Sequence, residues 1–317
     1  MEVMEVMEVM EVMEVDGNKK PMKSIEIFLS YICNYKCSFC FENDLYKEKN
    51  LSKEDITFTL KQAKKEGCNH VIFSWGEPTL DSNLLYYIDF SKKLGYEFIL
   101  IHTNWFKTDK YTYLENLVSL WLTWMILSVH GIGPISDMIT KKKWSFDSIY
   151  KTMANVSKIR KERLRDFMLD TNTVVCSYNY KHMYKLIKLL LYFPIKRIMI
   201  TYPASEGLVL NDTYLIPYDK AIASLKEIVK LIEDKSHKDF VLQWFPHCVL
   251  SSKLREYAES NKYIEKQKIY DTLDQKIEGY NDGYTKIDSC DLCEFDSKCS
   301  WISELSFNKF GFPWIIS

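Results

Sequence analysis

The chain has 317 residues, with 42 Lys and Arg against 43 Asp and Glu and a formal net charge of −1. That balance gives no global basic field for nucleic acid, and no apolar run reaches the ~20 residues of a membrane span. Hydrophobic residues make up 47% of the chain, enough to core one large domain or a domain with an appendage. The basic runs at 141–143 and 158–165 read as solvated helix faces. Glu interrupts every apolar pair at the start, so no signal peptide is read there. A soluble cytoplasmic protein is expected.

In chain order, residues 1–15 repeat Met-Glu-Val five times. With the linker that follows, 1–22 reads as a low-complexity disordered tail. Strand-like runs then alternate with helix-period stretches. Strands are expected at Ser24–Leu29, Val71–Ser74, Glu97–His102, Trp124–Val129, Asp170–Cys176 and Arg197–Thr201, with a further strand at Asp239–Trp244. Helices are expected at Ser52–Glu66 (opened by a Ser-x-x-Asp cap), Leu84–Leu94, Tyr113–Leu120, Ser145–Arg160, Asn179–Tyr192 and Pro217–Glu233. Six β-α units imply parallel strands with right-handed crossovers. They are too few for a closed eight-unit barrel. The expected fold is therefore α/β: a partial (β/α)6 barrel over 23–244, followed at 245–317 by a small cysteine-rich C-terminal module.

Nine cysteines make metal binding a better expectation than disulfides in a reducing compartment. Cys33, Cys37 and Cys40 have the spacing C-x3-C-x2-C on the loop after the first strand. Three thiolates on a short loop can grip three irons of a [4Fe–4S] cubane and leave the fourth iron open. A structural zinc loop is the alternative. It would want a fourth Cys or His close by, and none follows Cys40 closely, His70 being the next imidazole.

This cysteine loop, with Phe39 before the third Cys and the Cys33-Asn34 opening, resembles the radical S-adenosylmethionine (SAM) superfamily. The segment 73–79 resembles that family's G-G-E-P-T, with Trp75 in place of the first Gly. Thr103-Asn104 resembles its T-N-G, with Trp105 in place of Gly. The resemblance covers about residues 24–201. It implies a [4Fe–4S] cluster on Cys33, Cys37 and Cys40. It also implies a SAM site drawn from Phe39, Gly76, Glu77, Asn104, Ser128, His130, Asn172 and Val174, and reductive cleavage of SAM to a 5′-deoxyadenosyl radical. No catalytic residue is assigned. His130 is a candidate for proton transfer, against a hydrogen-bonded turn, and Cys176 for hydrogen-atom donation, against a buried inert thiol. Cys68 reads as core.

Cys290, Cys293 and Cys299 (C-x2-C-x5-C) with the distant Cys248 supply four more thiols. Four suit either zinc or a second [4Fe–4S] cluster. The arrangement resembles the SPASM and twitch auxiliary modules, nearer the shorter twitch form because Ser303 stands where SPASM has another Cys. That resemblance implies an electron-accepting second cluster and oxidative modification of a ribosomal peptide. Dehydrogenation of a small polar metabolite such as a sugar alcohol is the alternative, and a non-catalytic protein with two zinc sites is the third reading. Expected partners are a peptide or small-molecule substrate, a flavodoxin- or ferredoxin-like reductant and a separate peptide-recognition protein, with no nucleic acid and no membrane. The tail 310–314 is expected to pack against the module.

Overall fold

The computed structural model describes residues 23–40, 51–162, 167–203, 212–235, 239–259, 268–270 and 284–311. The Met-Glu-Val tail and residues 312–317 of the C-terminal tail lie outside the described residues. The core runs β1 (Ser24–Phe28), α1 (Lys53–Lys65), β2 (His70–Ser74), α2 (Leu84–Lys93), β3 (Phe98–Thr103), α3 (Tyr111–Ser119), β4 (Trp124–Ser128), α4 (Pro134–Thr140), α5 (Ser145–Glu162), β5 (Met168–Val174), α6 (Met183–Leu190), β6 (Arg197–Thr201), α7 (Tyr218–Asp234) and β7 (Phe240–Gln243). After it come α8 (Ser252–Arg255), β8 (Lys268–Tyr270), β9 (Tyr284–Thr285), β10 (Ile302–Ser303) and α9 (Glu304–Phe310).

The expected parallel α/β architecture is present. One sheet has the order β7-β6-β5-β4-β3-β2-β1-β8. Each neighbouring pair in it is parallel. Two features exceed the sequence reading. The short α4 follows Gly133 and begins on Pro134 at N1/N2; its seven residues give too few turns for a periodic signal. The eighth strand comes from beyond 245 and pairs with β1, Ile25 against Lys268. The C-terminal region thus adds a strand to the core sheet as well as its own antiparallel β9–β10 pair.

Alternation along the strands sorts the two faces. Ile25, Ile27, Val71, Phe73, Ile99, Ile101, Met125, Leu127, Leu169, Ile198, Ile200, Phe240 and Leu242 pack under the helices in one core. The intervening residues face the barrel interior. At its floor, the buried Asp170 and Arg197 stand 3.8 Å apart, beside Trp124, whose ring lies 5.4 Å from the guanidinium carbon. The amphipathic faces explain the helices: α1 is closed by the Ser52–Asp55 capping box and buries Ile56, Leu60 and Ala63.

His70 and His130 are buried and His102 half-buried. Burial lowers their pKa values to about 3, about 3 and about 4 respectively. A folded-state value below the unfolded ~6.5 means each neutral imidazole contributes stability above pH 6.5 that is lost as pH falls toward 3–4. The slope is about 1.4 kcal/mol per pH unit for each titrating group. Urea midpoints between pH 7 and pH 5 are expected to fall, and to fall less steeply for His70→Phe. An identical slope would sink this assignment.

The backbone has one unusual feature. Trp75, Trp105, Trp121, Trp144, Trp244 and Trp301 all have φ between +56° and +93°. In that region an L side chain crowds its own backbone, at about 1–2 kcal/mol per residue.

Candidate functional site

The cysteine loop leaves the carboxyl end of β1 and is fixed at several points. Gly76, at φ +55°, lies so close under Ser30–Ile32 that a Cβ would meet the Ile32 and Ser30 carbonyl oxygens at 2.4 and 2.6 Å. The Glu77 N–H donates to the Ile32 carbonyl at 2.9 Å. Farther along, the N–H groups of Lys36 and Ser38 donate to the Thr140 and Ile139 carbonyls at the end of α4. The unanticipated helix is therefore part of the scaffold for Cys33, Cys37 and Cys40, all half-buried. The Tyr35 N–H and Asn104 Nδ2 approach the Cys33 sulfur at 3.4 and 3.5 Å. Sulfur-directed donors of this kind suit a thiolate ligand.

Glu77 is fully buried and is a bracket between strand ends. Its Oε1 accepts from the Thr79 N–H (3.0 Å), the Thr79 hydroxyl (2.6 Å) and the Thr103 hydroxyl (2.7 Å). Its Oε2 accepts from the Asn104 N–H at 2.7 Å. Burial raises its pKa while these donors oppose the rise. The side chain is thus engaged in holding Asn104 toward Cys33, a role that motif reading alone did not supply. Because both oxygens face backbone N–H groups, Glu77→Gln must set its own NH2 against one of them. A loss of about 2–4 kcal/mol is expected, read by urea midpoint. An unchanged midpoint would refute the bracket.

On the opposite wall, the His130 Nδ1 accepts from the Val174 N–H at 3.2 Å. Phe39 meets the His130 ring edge-on at 4.7 Å. Neutral, with Nδ1 occupied, His130 carries its proton on Nε2 and is a donor there. Ser128 and Asn172 are register partners at the ends of β4 and β5. Cys176 is the buried thiol of the two readings. It is fully buried among Ile139, Tyr214 and Leu215, and burial pushes its thiol up to about 11, so it presents no hydrogen atom to the mouth. Cys68 is core, as read.

Sequence reasoning missed a polar rung across the mouth. The Thr201 hydroxyl stands 2.7 Å from Asn172 Oδ1 and 2.8 Å from Gln243 Oε1. Gln243 Nε2 donates to Glu259 at 3.1 Å. Glu259 reaches this level because Ala258 bridges to Leu242 in parallel, extending the sheet past β7. Position at a strand end was the available signal for Thr201 and Gln243. Glu259 had none, since a single bridge leaves no pattern.

The four C-terminal thiols converge although 42 residues of chain separate Cys248 from Cys290. Burial, then the proximity of Cys299, Cys290 and Cys293, pushes the Cys248 thiol up to about 11. The His247 N–H approaches the Cys299 sulfur at 3.4 Å. Phe295, inside the C-x2-C-x5-C loop, stacks on His247 at 4.9 Å, with the Arg255 guanidinium 4.7 Å above its ring. A second clasp joins Tyr202 and Tyr218, stacked at 4.1 Å, to α9 and β10. The Tyr202 hydroxyl meets the Ser306 hydroxyl at 2.8 Å, and the Tyr218 oxygen accepts from the Ser303 N–H at 3.1 Å. Tyr218→Phe orphans that buried N–H, for about 1–3 kcal/mol. Faster amide exchange at 302–306 is expected; unaltered exchange would refute the clasp. Among the described residues, no group of three or more His, Cys, Asp or Glu side chains closes on a single-ion position.

Residues 27–190 match the family model described as the Radical SAM superfamily. The chain belongs to the radical SAM superfamily. A relative from Saccharolobus islandicus (strain M.14.25 / Kamchatka #1), named probable GTP 3′,8-cyclase, is 31% identical over 252 residues, 76% of this chain and 75% of that protein. One from Sulfurisphaera tokodaii with the same name is 23% identical, over 70% of this chain and 68% of its own length. Among solved structures, Streptococcus suis SuiB bound to S-adenosylmethionine gives a TM-score of 0.65 at 15% identity, covering 92% of this chain and 75% of that one. Native anSMEcpe with bound AdoMet and Kp18Cys peptide gives 0.54 at 20% identity, covering 69% and 64%. At these identities the structural likeness shows the fold alone. As a superfamily member, the chain is an enzyme whose family uses a [4Fe–4S] cluster and SAM. Among the described residues, no helix is long and apolar enough to cross a membrane.

Proposed function

We propose that Cys33, Cys37 and Cys40 hold the SAM-binding [4Fe–4S] cluster, and that the strand ends of β2 to β5 hold SAM. The carrying observation is the Cys33–Asn104–Glu77 network, which fixes the cysteine loop against the ends of β2 and β3. When bound, the cluster supplies one electron to the SAM sulfonium, giving methionine and the 5′-deoxyadenosyl radical. Phe39 and His130 then form one wall of the adenosyl site, with Gly76, Ser128, Asn172 and Val174 around it. A flavodoxin- or ferredoxin-like protein supplies the electron in the cytoplasm.

Cys248, Cys290, Cys293 and Cys299 fit a second [4Fe–4S] cluster. The overall reaction is a two-electron oxidation. With both groups bound, a second cluster at these thiols would accept the electron, and a base the proton, that the substrate sheds after giving up a hydrogen atom. Glu259 has the position for that base, and burial raises its pKa. Ser128, Asn172, Thr201, Gln243 and Glu259 bring hydroxyls, amides and a carboxylate to the strand ends. Such a lining suits the amides and hydroxyls of a peptide, presented with a separate recognition protein, or of a small polar metabolite such as a sugar alcohol.

The second reading is GTP cyclisation, favoured by the 31% identity to proteins named probable GTP 3′,8-cyclase. The experiment is anaerobic reconstitution, iron and sulfide counting, and a 5′-deoxyadenosine assay with dithionite and SAM, with and without GTP. About eight irons per chain, with turnover unaffected by GTP, supports the oxidative reading. A GTP-dependent burst with a cyclised purine product would replace it. About four irons removes the second cluster, and a colourless protein without SAM cleavage supports two zinc sites.

A further inference from the structure

The tryptophans of this chain are not distributed as tryptophans. There are eight. Trp314 lies outside the described residues and Trp124 is an ordinary strand residue of β4. The other six all have left-handed backbone, and they account for six of the eight non-glycine residues with positive φ among the described residues. A bulky side chain is among the least suited to that region, where glycine is the usual occupant.

The helix ends make the comparison internal. Helix α1 closes with the N–H groups of Gly67 and Cys68 donating to the Lys64 and Ala63 carbonyls. Helix α2 repeats this with Gly95 and Tyr96 donating to Lys92 and Ser91, and α3 repeats it again with Trp121 and Leu122 donating to Val118 and Leu117. The φ values at the turning residue are +91°, +84° and +93° for Gly67, Gly95 and Trp121. This is the paired-bond helix stop that normally turns on glycine, built three times, with tryptophan at the third.

At two of these positions the side chain is left exposed to solvent. Trp144 is 72% and Trp121 37% exposed. Composition agrees: ten glycines in 317 residues is less than half the ordinary share of roughly 7%. Trp75 and Trp105 are also the two positions at which the cysteine-loop motifs depart from a glycine.

We infer that Trp75, Trp105, Trp121, Trp144, Trp244 and Trp301 stand where this fold is built for glycine, and that the codon behind each is decoded as glycine in the cell that makes the protein. UGA is such a codon: stop in the standard code, tryptophan in some codes and glycine in others. The consequence reaches the candidate site. Trp75 covers Phe28 and Tyr31, with ring centroids at 4.2 and 5.4 Å, and Trp105 lies 5.7 Å from Tyr35. Glycine at both would remove two indoles from beside the cysteine loop.

Two measurements test this. Peptide mapping of the protein isolated from its source cells is expected to show, at each of the six positions, the mass of glycine, and the mass of tryptophan at Trp124. Tryptophan at the six would overturn the decoding. Recombinant protein with the sequence as written is compared with the sixfold variant Trp75→Gly, Trp105→Gly, Trp121→Gly, Trp144→Gly, Trp244→Gly and Trp301→Gly. The variant is expected to melt higher by roughly 10 °C or more, whereas Trp124→Gly melts lower. A sixfold variant that melts lower than its parent would overturn the structural part.

Discussion

Cys33→Ala is expected to reduce 5′-deoxyadenosine formation to the level of an enzyme-free control, with the fold intact. The half-buried thiol contributes little packing, and Asn104 Nδ2 keeps its bond to Asn34 Oδ1 at 2.8 Å, so the polar loss is confined to the weak N–H to sulfur contact from Tyr35 at 3.4 Å. What is lost is one of three ligands. A cubane held by two thiolates leaves a second iron open and no longer presents a single vacant site to SAM. The checks are iron content, the electron paramagnetic resonance signal after reduction, and 5′-deoxyadenosine yield. Iron is expected to fall by the complement of one cluster while the signal of the C-terminal set remains. SAM cleavage at the parental rate in this variant would remove the cysteine loop from the reaction. Loss of both signals would mean that the variant is misfolded, which the urea midpoint would reveal.

Gly76→Ala is expected to damage the same site through the backbone alone. An added methyl has no room: two carbonyl oxygens lie 2.4 and 2.6 Å from where the Cβ would stand, and both are backbone atoms of the strand exit that leads into Cys33. The φ of +55° adds its own cost. Together these amount to about 2–5 kcal/mol. Relief requires Ser30–Ile32 to move, which breaks the Glu77 N–H bond to the Ile32 carbonyl and shifts Cys33 against Asn104. The urea midpoint should drop and iron at the first loop should fall, with the C-terminal thiols unaffected. A variant with parental stability and iron content would show that the strand exit has slack the structure does not display.

The comparison with Glu77→Gln is instructive, because the two residues are adjacent and act differently. Gly76 matters for what it lacks, a Cβ at a point of backbone contact. Glu77 matters for two acceptor oxygens that face backbone N–H groups of different strand ends. Both belong to one three-residue motif, yet only the surrounding carbonyls and amides reveal which property of each residue is used.

The sequence by itself determined the parallel alternation of strands and helices, the class of chemistry and the spacing of the first cysteine loop. Each of these is local: a period of 2 or 3.6 residues, a cap within four residues, three thiols within eight. Tertiary structure decided what depends on distant segments meeting. Glu77 gathers donors from Thr79, Thr103 and Asn104, and α4 steadies the cysteine loop from about a hundred residues away. The rung from Asn172 to Glu259 crosses from β5 to a single bridge beyond β7. Cys176, which stands two residues past Val174 of the expected site, lies in an apolar cluster. The left-handed backbone at six tryptophans was equally hidden, because φ is set by the turn that a segment must make to return to the sheet and not by the residue that occupies it.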